Sequence, residues 1–212
     1  MFPARTPAAL KWLLPHALWR MPVDEASLYI TFDDGPTPQV TTWVLDTLAA
    51  HEAKGSFFLI GRNAAKHPAI VKRIRDEGHA VGNHTWEHLN GWRTPLPEYL
   101  ESIARTQALT GTRLFRPPYG RITWNQSSAL HKDFRVVMWD VLSSDFAVDI
   151  TGERCSRNVV RNARPGSIIV FHDSLKAEGR LRYALPRVLE HLAGLGYRFR
   201  ALPENGVTAP PK

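Results

Sequence analysis

Short apolar runs alternate with longer amphipathic stretches along most of this chain. The short runs have the length and composition of buried strands, and the longer stretches repeat their apolar residues at helical spacing. We predict strands over residues 28–32, 56–60, 79–82, 113–116, 134–139, 167–171 and 197–201. We predict helices over residues 38–51, 68–77, 96–109, 123–131, 153–162 and 184–192. This alternation indicates βαβ units and a parallel sheet, and seven strands can close as a small α/β barrel.

The composition is that of an ordinary globular protein, with 43% hydrophobic and 22% charged residues in a chain of 212. The 27 basic residues exceed the 20 acidic ones and give a net charge of +7. A positive charge of this size is typical of a protein with an anionic partner, and equally of a basic surface exposed to solvent. No nucleic-acid-binding motif accompanies it. The single cysteine, Cys155, rules out an intramolecular disulfide and a cysteine-rich zinc site, and it fits a reducing compartment.

An apolar stretch over residues 8–19 is too short to span a bilayer and is interrupted by Lys11, Pro15 and His16. It lacks a small-residue cleavage site after a continuous apolar core, so we expect no signal peptide. The expected location is therefore cytoplasmic or peripheral to the inner membrane surface. Two roles stay open for this stretch: packing against the domain, or weak contact with a membrane surface.

Two adjacent carboxylates, Asp33 and Asp34, follow the first predicted strand, and Gly35-Pro36 turns the chain directly after them. Two carboxylates held close together repel each other, which raises the pKa of one of them. A cation beside the pair removes this repulsion. The pair therefore indicates one carboxylate that binds a metal and another that stays free for proton transfer. A surface Asp-Gly turn is the alternative when this segment is taken alone.

Two histidines four residues apart, His84 and His88, lie in a segment flanked by glycines. If the segment makes one helical turn, both imidazoles face the same side, as chelation of one ion requires. Together with Asp34 they supply two nitrogens and one oxygen. Three protein ligands and an open position are what a catalytic zinc ion needs.

Seven polar residues fall just after the carboxyl ends of predicted strands, although they are far apart in the sequence. They are Asp33, Asp34, His84, His88, Arg116, Asp145 and His172. Barrels of the α/β class assemble their active sites on that face. A histidine at the mouth of a buried strand, as His172 is, suits a general acid. After Arg116, two prolines make the N–H of Tyr119 the first fixed backbone donor, which suits an oxyanion.

Together these motifs resemble the polysaccharide deacetylase family, also called carbohydrate esterase family 4 or the NodB homology domain. The resemblance covers residues 28–202 in five ordered blocks. The blocks are Thr-Phe-Asp-Asp-Gly-Pro at 31–36, His-Thr-x-x-His at 84–88, Arg-Pro-Pro-Tyr-Gly at 116–120, Asp-Phe at 145–146 and Val-x-His at 170–172.

The resemblance implies a distorted (β/α)7-type barrel with a single NodB-like domain over residues 28–205. An N-terminal extension over residues 1–27 would pack on this domain, and residues 206–212 would form a flexible tail. The implied activity is hydrolysis of N-acetyl groups from amino sugars of a glycan. The implied cofactor is one divalent metal ion, with zinc first and cobalt, nickel or manganese as alternatives.

The resemblance also implies a role for each matching residue. The implied metal ligands are Asp34, His84 and His88. Asp33 would be the general base and His172 the general acid, and Tyr119 would offer its N–H to the oxyanion. Arg116 would orient Asp33, whereas Asp145 would either tune His172 or pair with Arg116.

Two positions depart from the family pattern, since Phe146 stands where tryptophan is usual and Val170 where leucine is usual. We expect both of them, with Tyr119 and Trp86, to contact the substrate. The departures bear on substrate choice more than on the reaction. Two rival functions stay open: a deformylase or deacetylase of a lipid-linked or small amino sugar, and a non-catalytic carbohydrate-binding relic.

Overall fold

The computed structural model describes residues 3–22 and 26–204, so the expected tail over residues 206–212 lies outside the described residues. The strands are β1 (Ser27–Asp33), β2 (Gly55–Leu59), β3 (Ala80–Asn83), β4 (Leu114–Phe115), β5 (Arg135–Val136), β6 (Val141–Leu142), β7 (Ile168–His172) and β8 (Arg198–Phe199). The helices are α1 (Ala8–Leu13), α2 (Pro38–Ala50), α3 (Gly61–Lys66), α4 (Pro68–Asp76), α5 (Leu96–Thr110), α6 (Trp124–Leu130), α7 (Gly152–Val160) and α8 (Glu178–Gly194). Short 3-10 helices span Gly91–Arg93 and Pro118–Gly120.

The strands form one parallel sheet in the order β5-β4-β3-β2-β1-β7-β6, with β8 beside the start of β1. The sheet curls into a half-barrel whose outer face is covered by helices. The α/β barrel class predicted from the sequence is therefore confirmed. Parallel strands bring all their carboxyl ends to one edge, which is where ligands bind in such folds.

Alternation along β1 explains how its residues divide between core and site. Leu28, Ile30 and Phe32 are fully buried and share one core cluster with apolar side chains of α2, α7 and α8. Thr31 and Asp33 point to the opposite face, inside the curl of the sheet, because successive side chains of a strand alternate. The helix-facing positions thus hold the sheet, and the inner positions carry polar groups.

An N-terminal segment, residues 4–21, lies across the gap between β5 and β6. The Leu18 N–H donates to the Val136 carbonyl over 2.8 Å, and the Met138 N–H donates to the Leu18 carbonyl over 2.8 Å. The Leu18 side chain is only 4% exposed and belongs to an apolar cluster inside the curl of the sheet. This segment therefore contributes both backbone pairing and core packing to the domain.

The short helix α1 within this segment leaves Trp12 and Leu13 exposed, at 84% and 67%. Within the described ranges, the structure contains no helix long and apolar enough to cross a membrane. Contact of the exposed pair with a membrane surface stays a prediction.

The structure differs from the predicted elements at several places. The single strand expected over residues 134–139 is wrong, because the chain pairs with β4 only as far as Val136. Val137 then bridges to Leu18, and the next strand, β6, pairs with β7. Helix α3 was not predicted, because six residues are too few to show a helical period. Helix α8 begins before the predicted residue 184 and contains Pro186, since packing outweighs the proline's cost of about 3 kcal/mol.

Candidate active site

The polar residues predicted to act together do meet at the carboxyl edge of the sheet. Asp33 and His172 end adjacent strands and lie in register with each other. On the other side of β1, the Arg116 N–H donates to the Asn83 carbonyl over 2.9 Å, which holds the ends of β3 and β4 together. His84 follows Asn83 directly, so the site is assembled at the ends of β1, β3, β4 and β7, with β2 lying between β1 and β3.

Asp34, His84 and His88 form a cluster with the geometry of a metal site. Asp34 Oδ1 lies 3.2 Å from His88 Nε2 and 3.8 Å from His84 Nε2, and the candidate ligand atoms are within 4.8 Å of one another. This oxygen is buried and accepts no well-formed hydrogen bond. Tetrahedral zinc, with ligand bonds of about 2.0–2.2 Å, separates neighbouring ligand atoms by about 3–4 Å. The residues present therefore fit a divalent cation.

The protonation states in this cluster also suit a cation. His84 Nδ1 lies 2.7 Å from the Arg116 carbonyl oxygen, which can only accept, so Nδ1 carries the hydrogen and Nε2 keeps its lone pair. Burial lowers the pKa of His84 to about 4 and keeps the imidazole neutral. Burial raises the pKa of Asp34, but contact with His88 and the nearby charge of His172 bring that pKa well below its usual range.

The two histidines converge without the helical turn that their spacing predicted. That expectation is wrong, since the segment is an irregular loop in which Thr85 and His88 have φ values of 62° and 61°. The Thr85 hydroxyl accepts a 2.9 Å hydrogen bond from the Leu89 N–H, which fixes the bend. The imidazole centroids of His84 and His88 are 5.0 Å apart as a result. The loop backbone, rather than helical periodicity, aims both rings at Asp34.

Arg116 is a fully buried guanidinium that holds Asp33. Its Nη1 donates to Asp33 Oδ1 and to the Thr31 hydroxyl, each over 2.7 Å. Its Nε and Nη2 donate to the carbonyl oxygens of Val137 and Met138 over 3.2 and 3.1 Å. Burial lowers the pKa of Arg116, but a guanidinium stays charged in proteins. This network fixes the position of the Asp33 carboxylate.

Asp145 pairs with His172 and not with Arg116, the other partner that the sequence left open. Asp145 Oδ1 accepts a 2.8 Å hydrogen bond from His172 Nδ1, and Oδ2 accepts one of 2.8 Å from the His172 N–H. Ser143 donates a further hydrogen bond of 3.0 Å to Oδ1. Burial lowers the pKa of His172, but the Asp145 carboxylate more than offsets this and raises the pKa to about 9. His172 therefore carries a proton at neutral pH.

Tyr119 lies at the mouth of the site in the 3-10 helix that follows Arg116, with φ of 61°. Its ring centroid is 4.5 Å from that of His88, and its hydroxyl is 3.1 Å from His88 Nδ1. The residue is 61% exposed. Its side chain thus supports a candidate metal ligand, while use of its N–H by an oxyanion stays a prediction.

The remaining predicted substrate contacts have different surroundings. The Phe146 ring lies edge-on to His172, with 5.1 Å between centroids, and so borders the site. Val170 is only 1% exposed and sits inside the sheet, two residues before His172. The Arg105 guanidinium covers one face of Trp86 at 3.8 Å. Substrate contact stays a prediction for all three.

Asp173 is a buried carboxylate that the sequence analysis missed. Its Oδ1 accepts a 3.0 Å hydrogen bond from the Gly35 N–H, and its Oδ2 accepts one from the Thr41 hydroxyl. A Cβ at position 35 would overlap this carboxylate, which explains the glycine there. Burial raises the pKa of Asp173 to about 7, although the Thr41 bond acts in the opposite direction. Its place directly after His172, at the same strand end, was the available signal.

Unusual backbone conformations concentrate around the site. The non-glycine residues with positive φ, among those described, are Asp34, Thr85, His88, Tyr119, Ser144 and, away from the site, Glu52. Such conformations cost about 1–3 kcal/mol each and persist where the surrounding structure enforces them. The loops of this edge are therefore held in one arrangement.

Comparison with known proteins gives similarities that cover most of the chain. Residues 20–134 match the sequence model of the family described as polysaccharide deacetylase. A peptidoglycan-N-acetylglucosamine deacetylase of Bacillus cereus is 38% identical over 192 residues, which are 86% of this chain and 69% of that protein. A chitooligosaccharide deacetylase of Azorhizobium caulinodans is 34% identical over 201 residues, which are 91% of this chain and 95% of that protein.

A crystal structure of the peptidoglycan N-acetylglucosamine deacetylase Bc1960 superposes on the chain with a TM-score of 0.84. The two are 36% identical, and the match covers 93% of this chain and 95% of the other. The similarity therefore covers most of both chains.

Proposed function

The chain belongs to the polysaccharide deacetylase family, and from this premise we propose that it removes N-acetyl groups from an amino sugar of a glycan by metal-dependent amide hydrolysis. One observation carries the proposal. A three-residue metal cluster, a carboxylate fixed by a buried arginine and a carboxylate–imidazole pair all lie at one edge of the sheet. A protein that only binds carbohydrate has no need of this combination.

Asp34, His84 and His88 would hold the divalent cation, with zinc the ion that best matches two imidazoles and one carboxylate. When bound, the cation polarises the acyl oxygen and lowers the pKa of a water molecule toward about 7. The hydrogen bond from His84 Nδ1 to the Arg116 carbonyl fixes the tautomer that a ligand needs.

Asp33 is the proposed general base. The Arg116 guanidinium binds its Oδ1 and holds the carboxylate in place, so Oδ2 is the oxygen that takes the proton from the attacking water. Because Arg116 is buried and its guanidinium donates four hydrogen bonds, it holds Asp33 in place without any contact from a substrate.

His172 is the proposed general acid. Its Nδ1 donates to Asp145, so Nε2 is the nitrogen that gives a proton to the departing amine. A pKa raised to about 9 keeps that proton available at neutral pH. The N–H of Tyr119 is the proposed backbone donor to the oxygen of the tetrahedral intermediate.

The proposed substrate is a glycan that contains N-acetylglucosamine. The names of the relatives support this choice, since they describe enzymes that act on peptidoglycan N-acetylglucosamine and on chitooligosaccharides. The net charge of +7 is compatible with an anionic polymer such as peptidoglycan.

Acetate release tests the proposal. Purified protein, reconstituted with zinc, should release acetate from peptidoglycan fragments and from N-acetylglucosamine oligomers, and chelation should abolish that release until zinc is restored. Formate release, or turnover of lipid-linked sugars alone, would favour the rival substrates. Acetate release that is indifferent to chelation would contradict the metal-dependent mechanism, and binding without any turnover would leave a carbohydrate-binding relic.

A further inference from the structure

Beside the site lies a cationic and aromatic surface whose side chains the proposed mechanism does not use. The Arg121 guanidinium carbon is 5.1 Å from the centroid of the Trp92 ring and 6.0 Å from that of Tyr119. Tyr119 in turn contacts the candidate metal ligand His88. We refer to Trp92, Tyr119 and Arg121 as the rim subsite. It is separated from the cation position by only one layer of side chains.

Arg121 has no acidic partner among the described residues, because none of their ion pairs includes it. Several other arginines of the chain, such as Arg73, Arg157 and Arg182, are paired with nearby carboxylates. The guanidinium of Arg121 lies instead near two aromatic rings, which restrict it without neutralising its charge. Its charge therefore remains available to an anionic group outside the chain.

The backbone under the rim subsite is held by a buried glutamine. Gln126 Nε2 donates to the Gly91 and Thr94 carbonyl oxygens over 2.8 and 3.1 Å, and its Oε1 accepts a 3.0 Å hydrogen bond from the Thr123 N–H. The Trp92 indole N–H donates to the Ile122 carbonyl over 3.3 Å. The loop that carries Trp92 and the loop that carries Arg121 are thus joined into one rigid platform.

Trp92 nevertheless remains 64% exposed. Its indole N–H is satisfied, so its apolar ring is what solvent meets. The exposed ring offers an apolar face on which a sugar can pack. The guanidinium next to it can donate two hydrogen bonds to one carboxylate.

We propose that the rim subsite binds a carboxylate carried by the sugar next to the N-acetylated residue, so that the enzyme prefers anionic glycans to neutral ones. This proposal rests on the proposed function. In peptidoglycan such a carboxylate comes from the lactyl ether of the neighbouring sugar or from the peptide attached to it. Neutral chitooligosaccharides carry neither.

The test compares acetate release from oligosaccharides of alternating N-acetylglucosamine and N-acetylmuramic acid in three forms. One has free lactyl carboxylates, one has the same carboxylates as methyl esters, and one carries peptides on them. The free acid and the ester have nearly the same shape but differ in charge. We expect kcat/KM to be about tenfold higher for the free acid, as a charge-assisted contact implies, with the difference mainly in KM.

In Arg121→Gln, kcat/KM for the free acid should be close to kcat/KM for the ester. Arg121→Lys should keep part of the preference for the free acid. Arg113→Gln is the matched control, because Arg113 is an exposed arginine at the opposite end of β4 and should leave both rates unchanged. The peptide-bearing form separates the two sources of carboxylate. If the wild type prefers this form, and Arg121→Gln removes that preference, the rim subsite binds the carboxylate of the peptide.

Equal rates for all three forms in the wild type, or a preference that survives Arg121→Gln, would overturn the rim subsite while leaving the proposed function intact. Failure of the wild type to release acetate from any form would remove both proposals together.

Discussion

At the scale of single residues, Asp33 and Asp34 show how neighbours in sequence reach different chemistry. Asp33 is the last residue of β1 and points into the sheet, where Arg116 binds it. Asp34 has φ of 81°, so the chain turns there and directs its carboxylate toward His84 and His88. The sequence predicted two roles for the pair from charge repulsion alone. The positive φ of Asp34, which directs the two carboxylates to different partners, could not be predicted from the sequence.

The pair of Asp145 and His172 gives a prediction at the same scale. Asp145→Asn removes the charge that raises the pKa of His172 to about 9. A general acid works below its pKa, so activity falls as pH rises through that value. The alkaline limb of the kcat/KM profile should therefore move from near 9 in the wild type toward the ordinary imidazole value of about 6.5.

The control for this experiment is Asp149→Asn, which changes an exposed carboxylate four residues away. Metal content should be unchanged in both variants. If the limb stays in place in a folded Asp145→Asn protein, the acid is a group other than His172.

Among the secondary-structure elements, the hydrophobic pattern located most of the buried strands but did not show where one of them ends. The apolar run over residues 134–139 was assigned to one strand, but it changes partner from β4 to the N-terminal segment. The hydrophobic pattern indicates that a residue is buried, but it does not indicate which strand pairs with that residue. The convergence of site residues was predictable because carboxyl ends of parallel strands share an edge. The loop around His88 was not, because its bend depends on the Thr85 hydroxyl.

The N-terminal segment gives a prediction at the scale of elements. Leu18 is buried across the gap between β5 and β6, whereas Leu13 of the same segment is 67% exposed. Leu18→Ala should lower the free energy of unfolding by about 2–5 kcal/mol, and Leu13→Ala should change it by less than about 0.5 kcal/mol. Urea unfolding of the two variants measures both. A Leu18→Ala effect as small as that of Leu13→Ala would show that the segment does not contribute to the stability of the domain.

At the scale of the whole molecule, one curled parallel sheet gathers into one site residues that lie between positions 33 and 172 of the chain. The 36% identity and TM-score of 0.84 with a known deacetylase show that this framework is shared. The shared fold does not by itself set substrate choice, and we propose that loop residues such as Phe146 and Arg121 do so. The family was therefore predictable from the motifs, and the rim subsite needed the arrangement of side chains in space.

The proposed mechanism gives the two adjacent carboxylates different roles, with Asp33 as the general base and Asp34 as a metal ligand. Measuring bound zinc and acetate release in Asp33→Asn, Asp34→Asn and the wild type, side by side, tests this difference. Asp33→Asn should keep one zinc ion per chain and lose about 10²–10⁴-fold in kcat, the usual share of a general base. Asp34→Asn should lose the zinc ion as well as the activity. Two variants with the same zinc content would contradict the claim.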